Sequence, residues 1–129
     1  MTKHKFVTEY ELRASPKMLF PYVSTASGLQ QWFANKVNVG SNQSMIFEWD
    51  GENHPAKIVS MRQNKSIKYD FTPDANEEEH NYMEFRLDQS DLTNSTFLKI
   101  TDYSDNTDEE DLRALWDGLI DTLREVVGG

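Results

Sequence analysis

The sequence predicts an α+β fold, a curved antiparallel sheet of about six or seven strands wrapped on one long C-terminal helix. Three observations carry the prediction. Alternating apolar and polar residues recur in short runs from residue 5 to residue 103. One helical stripe, from Leu112 to Val127, closes the chain. Strands and helices are segregated rather than interleaved, which separates α+β from α/β. A long amphipathic helix must bury its stripe, and the concave face of the sheet is the surface available.

The elements follow in order. Residues 5–13 put Phe6, Thr8, Tyr10 and Leu12 on one face and Glu9, Glu11 and Arg13 on the other, as in a half-buried strand. Ser15-Pro16 supplies an N-cap and a first helical position for a short helix through Met18, Leu19 and Phe20 to Val23. Pro21 limits the regularity of that helix. Ser27-Gly28-Leu29-Gln30 has capping-box spacing and predicts a second short helix through Trp32 and Phe33.

Strands come next. Val37–Val39 is a short one, ended by a turn at Gly40-Ser41-Asn42. Residues 44–50 alternate with Met45, Phe47 and Trp49 inward, and Asp50-Gly51 is a hairpin signal. Residues 55–62, with Ile58 central, form the return strand, and Gln63-Asn64-Lys65 turns again. Ile67, Tyr69 and Phe71 alternate with Lys68 and Asp70. Thr72-Pro73-Asp74 ends that strand, and an acidic loop runs over 75–80. Met83, Phe85 and Leu87 mark a further strand, 88–94 a turn, and 95–103 the last strand.

The terminal helix is the clearest element. Thr107 and Glu110 have capping-box spacing, and Asp108, Glu109 and Asp111 suit the positive end of the helix dipole. Leu112, Leu115, Trp116, Leu119, Ile120, Leu123, Val126 and Val127 repeat at helical spacing. The helix spans about 19 residues, or about 28 Å.

The chain has 129 residues and a mass of 15.0 kDa, which fits one domain over 1–129. A chain of this size buries about two-thirds of its surface on folding, enough for a core without staples. It has no cysteine, which excludes disulfides, thiolate metal sites and cysteine nucleophiles. The net charge is −9, with nine acids and two arginines from Asp102 onward. Nucleic acids are met by Lys and Arg, so DNA or RNA is excluded as a partner. The acidic end reads first as a solvated face. No apolar run reaches the length of a membrane span or of a signal-peptide core, so no membrane insertion is expected and a cytoplasmic location is.

Chemical motifs are sparse. His4, His54 and His80 lack metal-ligand spacing, so no metal is expected. Gly40-Ser41-Asn42-Gln43 is no nucleophile elbow, and no glycine-rich phosphate loop occurs, so no cofactor is expected. Asp102, Ser104, Asn106 and Asp108 alternate as calcium ligands do, but the turn lacks glycine and helix capping accounts for the acids. The informative set is the aromatics, 12% of the chain and mostly on inward faces. They fill a core, or they line a cavity that one helix and a large curved sheet leave between them.

Four segments resemble the START-like superfamily, also called SRPBCC, whose fold is the helix grip. They are Ser15-Pro16-Lys17-Met18-Leu19-Phe20, Gly28-Leu29-Gln30-Gln31-Trp32-Phe33, Phe47-Glu48-Trp49-Asp50-Gly51 and Trp116-Asp117-Gly118-Leu119-Ile120-Asp121-Thr122-Leu123. The likeness is nearest to homologues of the activator of heat-shock-protein ATPase. It implies non-catalytic binding of a small hydrophobic molecule, lipid-like or aromatic, between the sheet and the terminal helix.

The expected lining is Trp32, Phe47, Trp49, Ile58, Tyr69, Phe71, Phe85, Leu115, Trp116, Leu119 and Ile120, with no catalytic residue. Tyr69 and the indoles of Trp49 and Trp116 are expected to orient a polar ligand end. Two alternatives belong to other classes. One is a chaperone accessory that meets a protein partner through the acidic C-terminal face. The other is a cyclase, dehydratase or hydrolase, which requires polar groups converging in the cavity. The charge balance makes one prediction on its own: fluorescence anisotropy with a random DNA duplex at physiological salt should show no binding.

Overall fold

Asp50 and Gly51 both adopt positive φ, 52° and 82°, the geometry a two-residue hairpin turn of the primed type demands. They join β3 (Ser44–Trp49) to β4 (Glu52–Arg62), with Trp49 opposite Glu52. Pairing therefore starts at once, and β4 begins three residues earlier than the alternation suggests. This hairpin lies in a computed structural model that describes residues 3–40, 43–71 and 80–128. The turn expected at Gly40-Ser41-Asn42 lies partly outside the described residues. So do the strand end expected at Thr72-Pro73-Asp74 and nearly all of the loop over 75–80.

Asn64, also at positive φ, turns β4 into β5 (Ser66–Phe71). Beyond it come β6 (Asn81–Gln89) and β7 (Thr96–Ser104). The two remaining strands are β1 (His4–Leu12) and β2 (Lys36–Val39). All neighbours are antiparallel, in the order β1-β7-β6-β5-β4-β3-β2. Strands β1 and β2 thus form opposite edges. The chain passes from one edge to the other through α1 (Pro16–Ser24) and α2 (Ala26–Gln30).

Both short helices are fixed by local chemistry. Ser15 caps α1, its hydroxyl accepting from the Met18 amide, with Pro16 at the first position. The cap of α2 corrects the expectation of a capping box at Ser27. Thr25 is extended, and its Oγ1 accepts from the Gly28 amide at 3.0 Å while donating to the Pro21 carbonyl at 2.7 Å. That carbonyl also accepts from the Thr25 amide at 3.1 Å, so Thr25 closes α1 and caps α2 at once. Trp32 and Phe33 follow α2 in a turn rather than within it.

The long helix α3 (Glu109–Val127) is capped by Asp108, not by Thr107. Asn106 Oδ1 accepts from the Asp108 amide at 2.9 Å, and Asp108 Oδ1 accepts from the Asp111 amide at 3.1 Å. This turn sets the cap one residue later than the Thr107/Glu110 spacing suggests. Leu112, Trp116, Ile120 and Leu123 are buried against the concave face with Phe6, Leu98, Ile100 and Phe85. Polar ties to β1 fix the tilt. Tyr10 Oη donates to Asp117 at 2.7 Å, and Arg124 donates to the Glu11 carbonyl at 3.1 Å. Burial first, and the bond to Asp117 second, push the Tyr10 phenol up to about 12.

Two glycines give opposite expectations. A Cβ on Gly28 would lie 2.1 Å from the Pro21 carbonyl oxygen and 2.7 Å from Tyr22 Cα. On Gly118, in the exposed middle of α3, it would meet nothing within 4 Å. Gly28→Ala should lower stability by about 3 kcal/mol, at the upper end for overpacking. Gly118→Ala should raise it by about 1 kcal/mol through helix propensity. Urea unfolding midpoints of the two variants measure both.

Candidate functional site

The register of α3 decides what it leaves uncovered. At about 100° per residue, Leu115 falls roughly 60° from Leu112 and on the outer edge of the apolar stripe. Leu112 and Trp116 therefore reach the sheet, whereas Leu115 stays 52% exposed and Leu119 half-buried. Between this edge of α3 and the hairpin of β3 and β4 lies a cavity of about 610 Å³, open to solvent on one side. Small-molecule sites commonly fall between roughly 300 and 1,000 Å³.

Its walls come from four places. The hairpin contributes Trp49, Asp50, Asn53, His54 and Pro55, and β5 contributes Phe71. Strands β6 and β7 contribute segments 81–83 and 102–104, with Met83 opposite Asp102 on the inward face. Helix α3 contributes Leu115, Trp116 and Leu119, and the turn after α2 contributes Phe33.

Phe33 organises the floor. Its ring stacks on Trp116 at 5.7 Å and meets Phe47 and Trp49 edge-on at 5.4 and 5.2 Å. Such pairs add about 0.5–1.5 kcal/mol each beyond area burial and hold the rings in place. Its carbonyl accepts from Trp49 Nε1 at 2.9 Å. Trp116 Nε1 donates to Asp102 Oδ2 at 3.0 Å. Burial raises the Asp102 carboxyl above its ordinary value, and the indole bond offsets part of that rise.

The sequence-predicted lining divides in two. Trp49, Phe71, Leu115, Trp116 and Leu119 stand in the cavity wall. The other six stand outside that wall. Trp32, Phe47, Tyr69, Phe85 and Ile120 are buried within the core, and Ile58 packs against that core from β4. Alternation identifies an inward face but not the depth along it, and these six sit where helix and sheet already meet.

The expected polar groups are engaged elsewhere. Tyr69 Oη donates to the Val23 carbonyl at 2.6 Å, tying α1 to the sheet. Burial pushes its phenol well above the ordinary value. Both indoles are also committed, to the Phe33 carbonyl and to Asp102. None of the three is left to orient a ligand.

The cavity's own polar groups are instead Asp102, Asp50, His54, Asn53, Asn81 and Ser104, which the sequence reading missed. Asp102 had a signal. It continues the inward series Leu98, Ile100 on β7, within the strand expected over 95–103, although it also opens the acidic tail. Asn106 is taken up by the α3 cap, and the calcium-like alternation from Asp102 to Asp108 does not converge.

The family model for the START-like superfamily domain matches residues 1–129. No curated protein matches the sequence. Among solved structures, BfR322 from Bacteroides fragilis is 35% identical, with a TM-score of 0.65 over 98% of this chain and 92% of that one. The Aha1 dimer from Colwellia psychrerythraea is similar at 21% identity and a TM-score of 0.74, covering 96% of each chain. MLL2253 from Mesorhizobium loti matches at 13% identity and a TM-score of 0.77, covering 97% of each. The last two speak for the fold.

Asp102 gives a pH-dependent expectation. Its proton is held to higher pH in the folded chain than in the unfolded one. Stability is therefore lost as pH rises from the ordinary aspartate value of 3.8 through the raised value, and the cost is constant above it. Asp102→Asn keeps an oxygen for the Trp116 indole and removes the ionisation. Thermal melts from pH 3.5 to 7 should show the variant gaining on the parent as pH rises. Asp50 and His54, the other ionisable side chains of the inward cavity wall, are common to both proteins.

Proposed function

From the premise that the chain belongs to the START-like superfamily, whose members bind hydrophobic ligands, we propose that it binds a small hydrophobic molecule without catalysing its conversion. The site is the cavity between the β3–β4 hairpin and the outer edge of α3. The observation that carries this reading is the pair Leu115 and Leu119. They are apolar, they line the cavity, and Leu115 remains half-exposed although a buried helix stripe runs beside it. An apolar ligand seated against them removes that surface from water at about 25 cal/mol per Å² before association costs.

The superfamily includes enzymes as well as non-enzymes. Binding is favoured here because the buried carboxyl of the wall, Asp102, holds the Trp116 indole, and among the described residues no base or nucleophile is bonded to it. The acidic C-terminal face supports a protein partner less well than composition suggests. Asp105 pairs with Lys3 and Glu109 with His4, and Asp117 takes the Tyr10 hydroxyl.

Leu119→Trp tests the reading. In a packed core such an enlargement costs roughly 1–3 kcal/mol. Into the cavity it should cost less than about 1 kcal/mol and weaken binding of a neutral apolar reporter dye at least several-fold. Urea melts and dye titration, followed by Trp emission, measure the two effects. Strong destabilisation together with absent dye binding in the parent would overturn the proposal.

A further inference from the structure

We infer that the cavity selects ligands by charge, accepting apolar molecules that carry a protonated amine and rejecting those that carry a carboxylate. The inference rests on the hydrophobic-binding reading above and adds the end-group chemistry that fits.

The charge inventory of the wall carries it. Two carboxylates, Asp50 and Asp102, and one imidazole, His54, face a cavity whose lining, among the described residues, contains no lysine and no arginine. His54 lies 3.8 Å from Glu52, a further acid at the hairpin. The basic side chain bonded to a wall residue is Lys3, and it is committed. It donates to Asn81 Oδ1 at 2.7 Å and to Asp105 at 2.9 Å. Lys68 lies over the ring of Tyr82, which shares the outward face of the sheet with Tyr103.

Asp102 is the group placed to act. Oδ2 accepts from the Trp116 indole, and Oδ1 takes no bond from the described residues. No buried side-chain oxygen among the described residues lacks a partner, so Oδ1 is reached from the cavity. The aromatic rings of Trp49, Phe71 and Trp116 share the same wall.

An ammonium entering here gains a charge-assisted hydrogen bond to Oδ1 and the faces of electron-rich rings. It also supplies the counter-charge that burial denies Asp102. A ligand carboxylate meets the reverse. It brings a second anion beside Asp102, with no lysine or arginine among the described wall residues to compensate. A neutral hydroxyl lies between, able to donate one ordinary bond.

Three probes of one shape separate these cases: 1-naphthylmethylamine, 1-naphthalenemethanol and 1-naphthoate, each titrated calorimetrically at physiological salt. The amine should bind at least about tenfold more tightly than the carboxylate, with the alcohol between them. In Asp102→Asn the amine-to-carboxylate ratio should collapse to within about twofold, while the alcohol keeps its affinity. Asp121→Asn, an exposed acid on the far side of α3, should leave the ratio as in the parent and so separate a local effect from overall charge.

Equal binding of all three probes would overturn the selectivity and leave the cavity reading standing. A ratio that survives Asp102→Asn would overturn the role of Asp102 in it. If none of the three probes binds, the selectivity and the cavity reading both fall. The ranking in the parent protein is decisive even if the Asp102 variant does not fold.

Discussion

Trp116 ties α3 to two neighbouring strands and to the turn after α2. Its indole nitrogen reaches β7 at Asp102, its face lies on Phe33 in the turn after α2, and its edge meets Phe85 on β6. With 2% of its surface exposed, it is the residue by which α3 is held in rotation about its own axis. That rotation sends Leu112, Ile120 and Leu123 to the sheet and leaves Leu115 at the cavity. A turn of the helix by even one position would bury the second set and expose the first. The aromatic ring of contacts and the cavity beside it are consequences of one anchored side chain.

The anchor is a polar one in an apolar setting. Burying Asp102 costs free energy that only the indole bond offsets on the protein side. An apolar pair at these two positions would pack with less penalty, as replacements of buried polar pairs often do. Retaining the carboxyl fixes one geometry and leaves one oxygen facing open space. The donors of Trp49 in the wall, and of Trp32 and Tyr69 in the core behind it, all end on backbone carbonyls.

Much of the architecture was legible in the sequence because it depends on local signals. The Asp50-Gly51 hairpin, the Ser15-Pro16 helix start and the stripe of α3 each need only a few neighbouring residues to be recognised. The errors also have local causes. Two residues near each helix start can cap it, and Thr25 and Asp108 win through bonds to Pro21 and Asn106 that spacing does not reveal. The cavity was legible only in part. Period-2 alternation separates inward from outward, and it put Phe47, Tyr69 and Phe85 inward correctly. Whether an inward residue meets the helix or empty space depends on where α3 crosses, which is a property of the assembled sheet. Asp102 escaped for a simpler reason, since it lies at the junction of a strand and an acidic run.

The order of strands has a bearing on how the chain comes to be folded. Strand β1 pairs along its whole length with β7, from His4 opposite Ser104 to Leu12 opposite Thr96. Its partner is thus made long after it. At about 5–20 residues per second, a ribosome takes on the order of 5–20 seconds to travel between them. Throughout that interval β1 has an apolar face and an unpaired edge, while β3, β4 and β5 can already pair as hairpins. Three of its four outward residues, Lys5, Glu9 and Glu11 beside Val7, are charged, which discourages the waiting strand from pairing with a strand of another nascent chain.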